Sequence, residues 1–219
     1  MINKLIFFLL CSLGVHQCFG QHFHRPLIDI DGNKYSLITY GDQLWMAENL
    51  RVTRFSNGDT IEFVNQTNIW ENLETPAYSK SIEFEKAQQI GLLYNWYVID
   101  DSRNICPRGW HVPTDSEWTK FINYIGGANY AGKILNKKSL FLSFFYKKTV
   151  LKTNFGVRFC GYLGFDGSFC DLGTKSSWWT KTENVSNTAW NRFISIDESK
   201  VYRDDEIKQA GLSIRCIKN

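Results

Sequence analysis

Hydrophobic and polar positions divide the chain into short extended stretches punctuated by turns, interrupted once by a strong helical signal. Ile28-Asp29-Ile30-Asp31-Gly32-Asn33-Lys34-Tyr35 sets a turn-forming Asp-Gly between two extended stretches, the pattern of a hairpin. Gly41-Asp42 and Ser56-Asn57-Gly58-Asp59 supply two further turns, the first leading into Gln43-Leu44-Trp45-Met46-Ala47. The early chain therefore reads as a meander. Residues 65–90 carry scattered aromatics without a sustained period and read as loop, with one short helix around Ile82 to Gln89.

The helical signal follows Pro113. Thr114 and Glu117 form a Thr-x-x-Glu capping box, which predicts a helix beginning at Asp115. Trp118, Phe121, Ile122 and Ile125 recur at spacings of three and four, and Gly126-Gly127 supplies residues able to end the helix in the left-handed conformation. That apolar stripe requires a sheet to cover it. A second short helix is expected over Ala128 to Asn136. Beyond it the chain reads as strand: Val157 to Leu163 and Ser168 to Leu172 around an Asp166-Gly167 turn, then Trp178-Trp179-Thr180, Ala189 to Ile196 and Leu212 to Ile217.

At the N-terminus, Lys4 precedes an almost uninterrupted apolar run from Leu5 to Leu13, too short to span a bilayer. Small residues at Cys18 and Gly20 predict removal of residues 1–20 before Gln21 and export of the remainder as one domain, 21–219. Lipid attachment at Cys11 or Cys18 is the competing reading, weakened because Cys11 interrupts the run and Cys18 follows His16-Gln17. A formal charge of +3 with no basic run excludes a nucleic-acid footprint. Aromatics make up 16% of the residues, including eight tryptophans, enough to build a core of large rings despite few long aliphatic stretches.

Four cysteines follow residue 20: Cys106, Cys160, Cys170 and Cys216. In an exported chain an even number reads as two disulfides; of the three pairings, Cys106 with Cys216 and Cys160 with Cys170 are favoured. The first would restrict the unfolded chain by roughly 4–5 kcal/mol on the chain-entropy picture. Absence of Cys-x-x-Cys and His-x-x-x-His after residue 20 argues against structural zinc.

Residues 91–97, Gly-Leu-Leu-Tyr-Asn-Trp-Tyr, and 106–118, Cys-Pro-Arg-Gly-Trp-His-Val-Pro-Thr-Asp-Ser-Glu-Trp, resemble the Fibrobacter succinogenes major paralogous domain, a family of exported bacterial proteins. Asp31 to Tyr35, Trp45 to Leu50, Trp178-Trp179 with Glu183, and Ser213-Ile214-Arg215-Cys216 extend the resemblance. It implies an α+β fold similar to C-type lectins and formylglycine-generating enzymes: a mixed, mainly antiparallel sheet with two helices and the two chain ends together. In such a fold a cysteine near the first helix bonds one in the final strand, which supports Cys106 with Cys216. Cys160, Cys170 and Lys181 depart from the family pattern.

The expected function is a non-catalytic recognition module that engages an extracellular glycan or protein through its long-loop face. Catalysis of the formylglycine-generating kind would need reactive thiols at Cys160 and Cys170, and cysteine-histidine hydrolysis would need His111, which reads as structural. A purely structural or adhesive surface protein is the third class. No cofactor is called for; calcium is the one ion with candidate ligands, Asp197, Glu198, Asp204, Asp205 and Glu206, although the Glu-Pro-Asn and Trp-Asn-Asp signatures of sugar-binding lectins are absent. Trp178, Trp179 and Trp190 are candidate ligand-stacking rings; alternation sends the adjacent pair to opposite faces of a strand, so that one faces solvent or both lie between layers.

Overall fold

The computed structural model describes residues 25–80, 90–136 and 155–219. The segment read as a signal peptide and the helix expected over 82–89 lie outside the described residues. Strands β1 (Leu27–Ile28) and β2 (Lys34–Tyr35) form the predicted hairpin, closed by Gly32 at φ +82°. The Asp29 carboxylate accepts the backbone N–H groups of Asp31 and Asn33, both at 2.9 Å, and the Tyr35 hydroxyl at 2.7 Å. β3 (Leu37–Tyr40) and β4 (Gln43–Met46) make a second hairpin around Gly41. These two hairpins belong to different sheets, which corrects the single meander.

The stretch read as loop holds more order than its pattern shows. β5 (Glu62–Phe63), α1 (Thr67–Trp70) and β6 (Ala77–Ser79) precede β7 (Leu93–Tyr94); β5 runs parallel to β6, and β6 antiparallel to β7. Elements of two to four residues leave no periodic signature, and Trp70, Ala77 and Leu93 are buried together with Cys160 and Leu163 from far along the chain. α2 (Tyr97–Asp100) leads to β8 (Trp110–His111).

α3 (Asp115–Tyr124) starts where the capping box places it. Thr114 Oγ1 accepts the N–H of Glu117 at 3.2 Å, and the Glu117 carboxylate accepts the N–H of Thr114 at 2.8 Å. Its buried face packs Trp118, Phe121 and Ile122 against Trp45 of β4 and Ile217 near the C-terminus. α4 (Ala128–Leu135) follows. Then come β9 (Tyr162–Leu163) and β10 (Phe169–Cys170), the long hairpin of β11 (Lys175–Val185) and β12 (Thr188–Ser195), β13 (Tyr202–Ile207) and β14 (Ile217–Lys218). β11-β12-β13 is one antiparallel sheet and β3-β4-β14-β8 another, giving an α+β architecture with mainly antiparallel pairing and four short helices among the described residues. Trp178 of β11 and Ile194 of β12 join the α3 cluster, so one helix covers parts of both sheets.

Residues 212–217 tie the sheets together. Leu212 exchanges backbone hydrogen bonds with Tyr94, Ser213 with Ser177 and Trp179, and the carbonyls of Ile214 and Cys216 accept from Leu50 and Met46. Only its end registers as β14, because successive groups bond to different neighbours rather than to one ladder. Cys216 is bonded to Cys106, with Cα atoms 6.0 Å apart and a sequence separation of 110. β14 inserts between β4 and β8, which brings it against the β3–β4 hairpin.

Between these elements lies Arg215, fully buried. Its guanidinium donates to the carbonyls of Ala47 (2.8 Å), Phe155 (2.6 Å) and Gly156 (3.1 Å) and to Asn49 Oδ1 (3.0 Å), and it lies 3.8 Å from the centre of the Phe155 ring. Burial pulls its pKa down to about 9, which leaves it a cation at neutral pH. Asn49 Oδ1 also accepts from Trp178 Nε1 at 2.9 Å, while its amide donates to Ile90 O and Ser213 Oγ.

Replacing Arg215 with Met strands two buried carbonyls and a partly buried one, each buried group costing about 1–3 kcal/mol when unsatisfied, so urea unfolding should show a loss of roughly 3 kcal/mol or more. Arg215→Lys should not restore it, since one ammonium cannot reproduce the planar fork. Thr114→Ala should cost about 1 kcal/mol through the lost cap.

Candidate ligand-binding face

The residues singled out from sequence separate into distinct surroundings. Trp178 and Trp179 do point to opposite faces of β11, and both are buried at 0% exposure. Trp178 lies in the α3 cluster, and Trp179 donates its indole N–H to Tyr94 O at 2.8 Å within a second core cluster. Neither can stack on a ligand; both faces of this sheet carry core where the two rings sit. Trp190 alone of the eight tryptophans is half-exposed, with the Arg203 guanidinium 3.3 Å from its ring centre.

The five carboxylates named for calcium do not converge. Asp204, Asp205 and Glu206 lie on β13, a strand where a charged loop was expected, and alternation sends Asp205 to the face opposite its neighbours. Asp197 and Glu198 precede that strand, and Glu198 accepts a hydrogen bond from the Tyr202 hydroxyl. Among the described residues no group of three or more His, Cys, Asp or Glu side chains is placed to hold a metal ion.

Cys160 and Cys170 are separate thiols, which corrects the second disulfide. Gly161, at φ +66°, breaks the strand alternation between Cys160 and Tyr162. Cys160 therefore points inward, where its sulfur lies 3.1 Å from Ser213 Oγ and burial raises its thiol pKa. Cys170 pairs across the hairpin with Tyr162 and shares its outer side. His111 bridges two elements: Nδ1 is 2.7 Å from Asn219 Oδ1, and Nε2 is 3.0 and 3.1 Å from the Glu117 carboxylate oxygens. Desolvation raises the Glu117 carboxyl, but hydrogen bonds from Thr114 and His111 outweigh it and hold the group below its ordinary range.

A different set of residues comes together at one end of β11-β12-β13. Phe193 and Tyr202, directly opposite on β12 and β13, stack with ring centres 4.7 Å apart and planes at 6°. Lys175 Nζ lies 4.2 Å from the Phe193 ring centre and 4.7 Å from that of Tyr162, so one ammonium bridges two rings. Lys200 Nζ lies 4.6 Å from the Tyr202 ring. Tyr202, Asp204 and Glu206 share this face through the two-residue period of β13. The Glu206 carboxyl is raised by desolvation, and Tyr162 is pushed up to about 12 by burial and by neighbouring Cys170. Further along the same face Trp179 and Asn191 are buried, so the open part is the Lys175, Phe193 and Tyr202 end together with the edge strand, on which Asp204 is exposed and Glu206 half-buried.

Sequence reasoning named Asp204 and Glu206 but missed Tyr162, Lys175, Phe193 and Tyr202. The available signal was aromatic and polar residues at alternate positions of 191–195 and 202–206, which becomes visible only once the second stretch is recognised as a strand.

The fold and this face define a disulfide-bonded α+β domain of small antiparallel sheets with a tryptophan-rich interior and one open, aromatic sheet end. The Fibrobacter succinogenes major domain family model matches residues 38–218, and the chain belongs to that family. Neither a curated protein nor a solved structure matches the chain.

Alkylation of the native protein followed by peptide mapping should label Cys170 and spare Cys160, with both labelled after denaturation. Equal native labelling would contradict the inward placement of Cys160.

Proposed function

We propose that this protein is an exported, non-catalytic recognition domain, secreted or displayed at the cell surface, that engages an extracellular glycan or protein. The half-exposed Phe193–Tyr202 stack carries the reading. Rings of this size are ordinarily covered by core, and here lysine side chains lie over them instead of another layer. Aromatic side chains left at a surface beside charged groups are the usual anchors of recognition. A C-type-lectin-like arrangement, with the final strand drawn in beside the first hairpins, agrees with this assignment and is proposed with it. Export rests on Lys4 and the apolar run after it. Among the described residues no helix is long and apolar enough to cross a membrane.

The rival is an oxidoreductase-like enzyme on a formylglycine-generating-enzyme-like fold, and the two separate thiols favour it to that extent. Reactive thiols are exposed and hold a depressed pKa, whereas Cys160 is 1% exposed and its pKa is raised. Recognition is therefore the better reading.

Two measurements test it. N-terminal sequencing of the protein recovered outside the cytoplasm should begin at Gln21. Immobilised protein probed against glycan arrays and exported proteins of the producing cell should retain a ligand that a Phe193→Ser/Tyr202→Ser variant with native near-ultraviolet dichroism loses. Retention unchanged in that variant would sink the assignment of this face.

A further inference from the structure

The chemistry of the open sheet end selects among ligand classes, given that the protein is a recognition domain. Phe193 has Tyr202 stacked against it and Lys175 close by, so the ring left for a ligand is Tyr202. Among the described residues the exposed Lys200 lies over that ring, and an exposed cation–π contact is worth about 0.5–1 kcal/mol, a small cost to displace.

Charge narrows the choice. Among the described residues two lysines, Lys175 and Lys200, stand among four carboxylates, those of Asp204 and Glu206 on the strand, Glu198 at the Tyr202 hydroxyl and Asp171 near Tyr162. The acidic excess repels polyanions, uronate polymers and nucleic acids included. A cationic peptide meets the two ammonium groups already lying against the rings. A neutral polyhydroxylated ligand meets neither obstacle. Its hydroxyls donate to carboxylates, and the C–H face of its ring packs on an aromatic side chain.

Asp204 and Glu206 are held for that role. Asp204 Oδ1 accepts the N–H of Asp205 at 3.0 Å and Glu206 Oε1 the N–H of Ile207 at 3.1 Å, which orients each carboxylate. From Tyr202 to Glu206 the strand covers about 13 Å, the reach of a short oligosaccharide.

We propose that the Tyr202, Asp204 and Glu206 face of the three-stranded sheet binds a neutral saccharide, with Tyr202 as the stacking ring and the two carboxylates as acceptors of its hydroxyl protons. An ionised Glu206 is the stronger acceptor. Because its folded pKa lies above the ordinary glutamate value, affinity is fully present above that pKa and falls on acidification, beginning at a higher pH than an unperturbed carboxylate would give.

Calorimetric titration of the full chain with neutral hexasaccharides of β-1,4-glucose, β-1,4-mannose and α-1,4-glucose, with hexagalacturonate and hexalysine alongside, tests this. The expected result is binding of a neutral hexasaccharide in calcium or in chelator, weakened at least tenfold by Tyr202→Ala and retained by Tyr202→Phe. Glu206→Gln should weaken binding at pH 7 and flatten the acid limb. Binding of a neutral hexasaccharide unaffected by Tyr202→Ala overturns the proposal, as does binding of none. Binding of hexalysine or hexagalacturonate alone, lost in Phe193→Ala, overturns the saccharide while leaving the recognition reading intact.

Discussion

A buried guanidinium whose hydrogen bonds go to backbone carbonyls and one amide oxygen constrains the segments that supply them. Removing such an ion from water carries an effective penalty of several kcal/mol, and here it is offset by three backbone carbonyls, the Asn49 amide oxygen and the faces of Phe155 and Trp178. Those acceptors come from residues 47–49 and 155–156, two segments far apart in sequence. Arg215 thus fixes where the chain following β4 and the chain entering the C-terminal β region pass one another. Asn49 extends the constraint, since the oxygen that receives Arg215 also receives the Trp178 indole.

The aromatic core grows from that point. Trp45, Trp118, Phe121, Phe155 and Trp178 are mutually within 4.9–6.2 Å between ring centres in most pairings, and they come from three elements of structure and one connecting segment. Large rings cover the junction between two small sheets that could not individually bury much surface. The disulfide from Cys106 to Cys216 lies in the neighbouring cluster, on the other side of the segment carrying Arg215. One stretch, 212–217, consequently supplies backbone pairing, a buried cation and a covalent link.

Features fixed by neighbours in sequence were legible. The Thr114–Glu117 cap and the three-four spacing of Trp118, Phe121 and Ile122 are local, and so is the Asp-Gly hairpin at residue 32. The pairing of Cys106 with Cys216 followed from cysteine parity and family resemblance together. Features decided by distant parts of the chain were not legible. Alternation gives Trp178 and Trp179 opposite directions, but whether either meets water depends on which layers arrive on each side. Tyr-Arg-Asp-Asp-Glu-Ile carries weak strand propensity, and it forms β13 because β12 offers an edge, its charges suiting a position at the border of a sheet. Cys160 was misassigned because one glycine with positive φ reverses the direction of the side chain before it. The open face was missed for the same reason as β13, since Phe193 and Tyr202 meet only through the register of those strands.

The sharing of residues 212–217 among several sheets has a bearing on how the chain is handled while it is being made or moved. Sheets that wait for the same closing segment cannot be completed one after another from the N-terminal side. A chain threaded N-terminus first, whether from a ribosome or through a membrane channel, stays open until residue 217 has emerged, and its helix α3 and paired hairpins lack their common seam until then. The architecture therefore reserves its locking step for the arrival of residues 212–217, whose backbone pairing and Cys216 link join segments laid down much earlier.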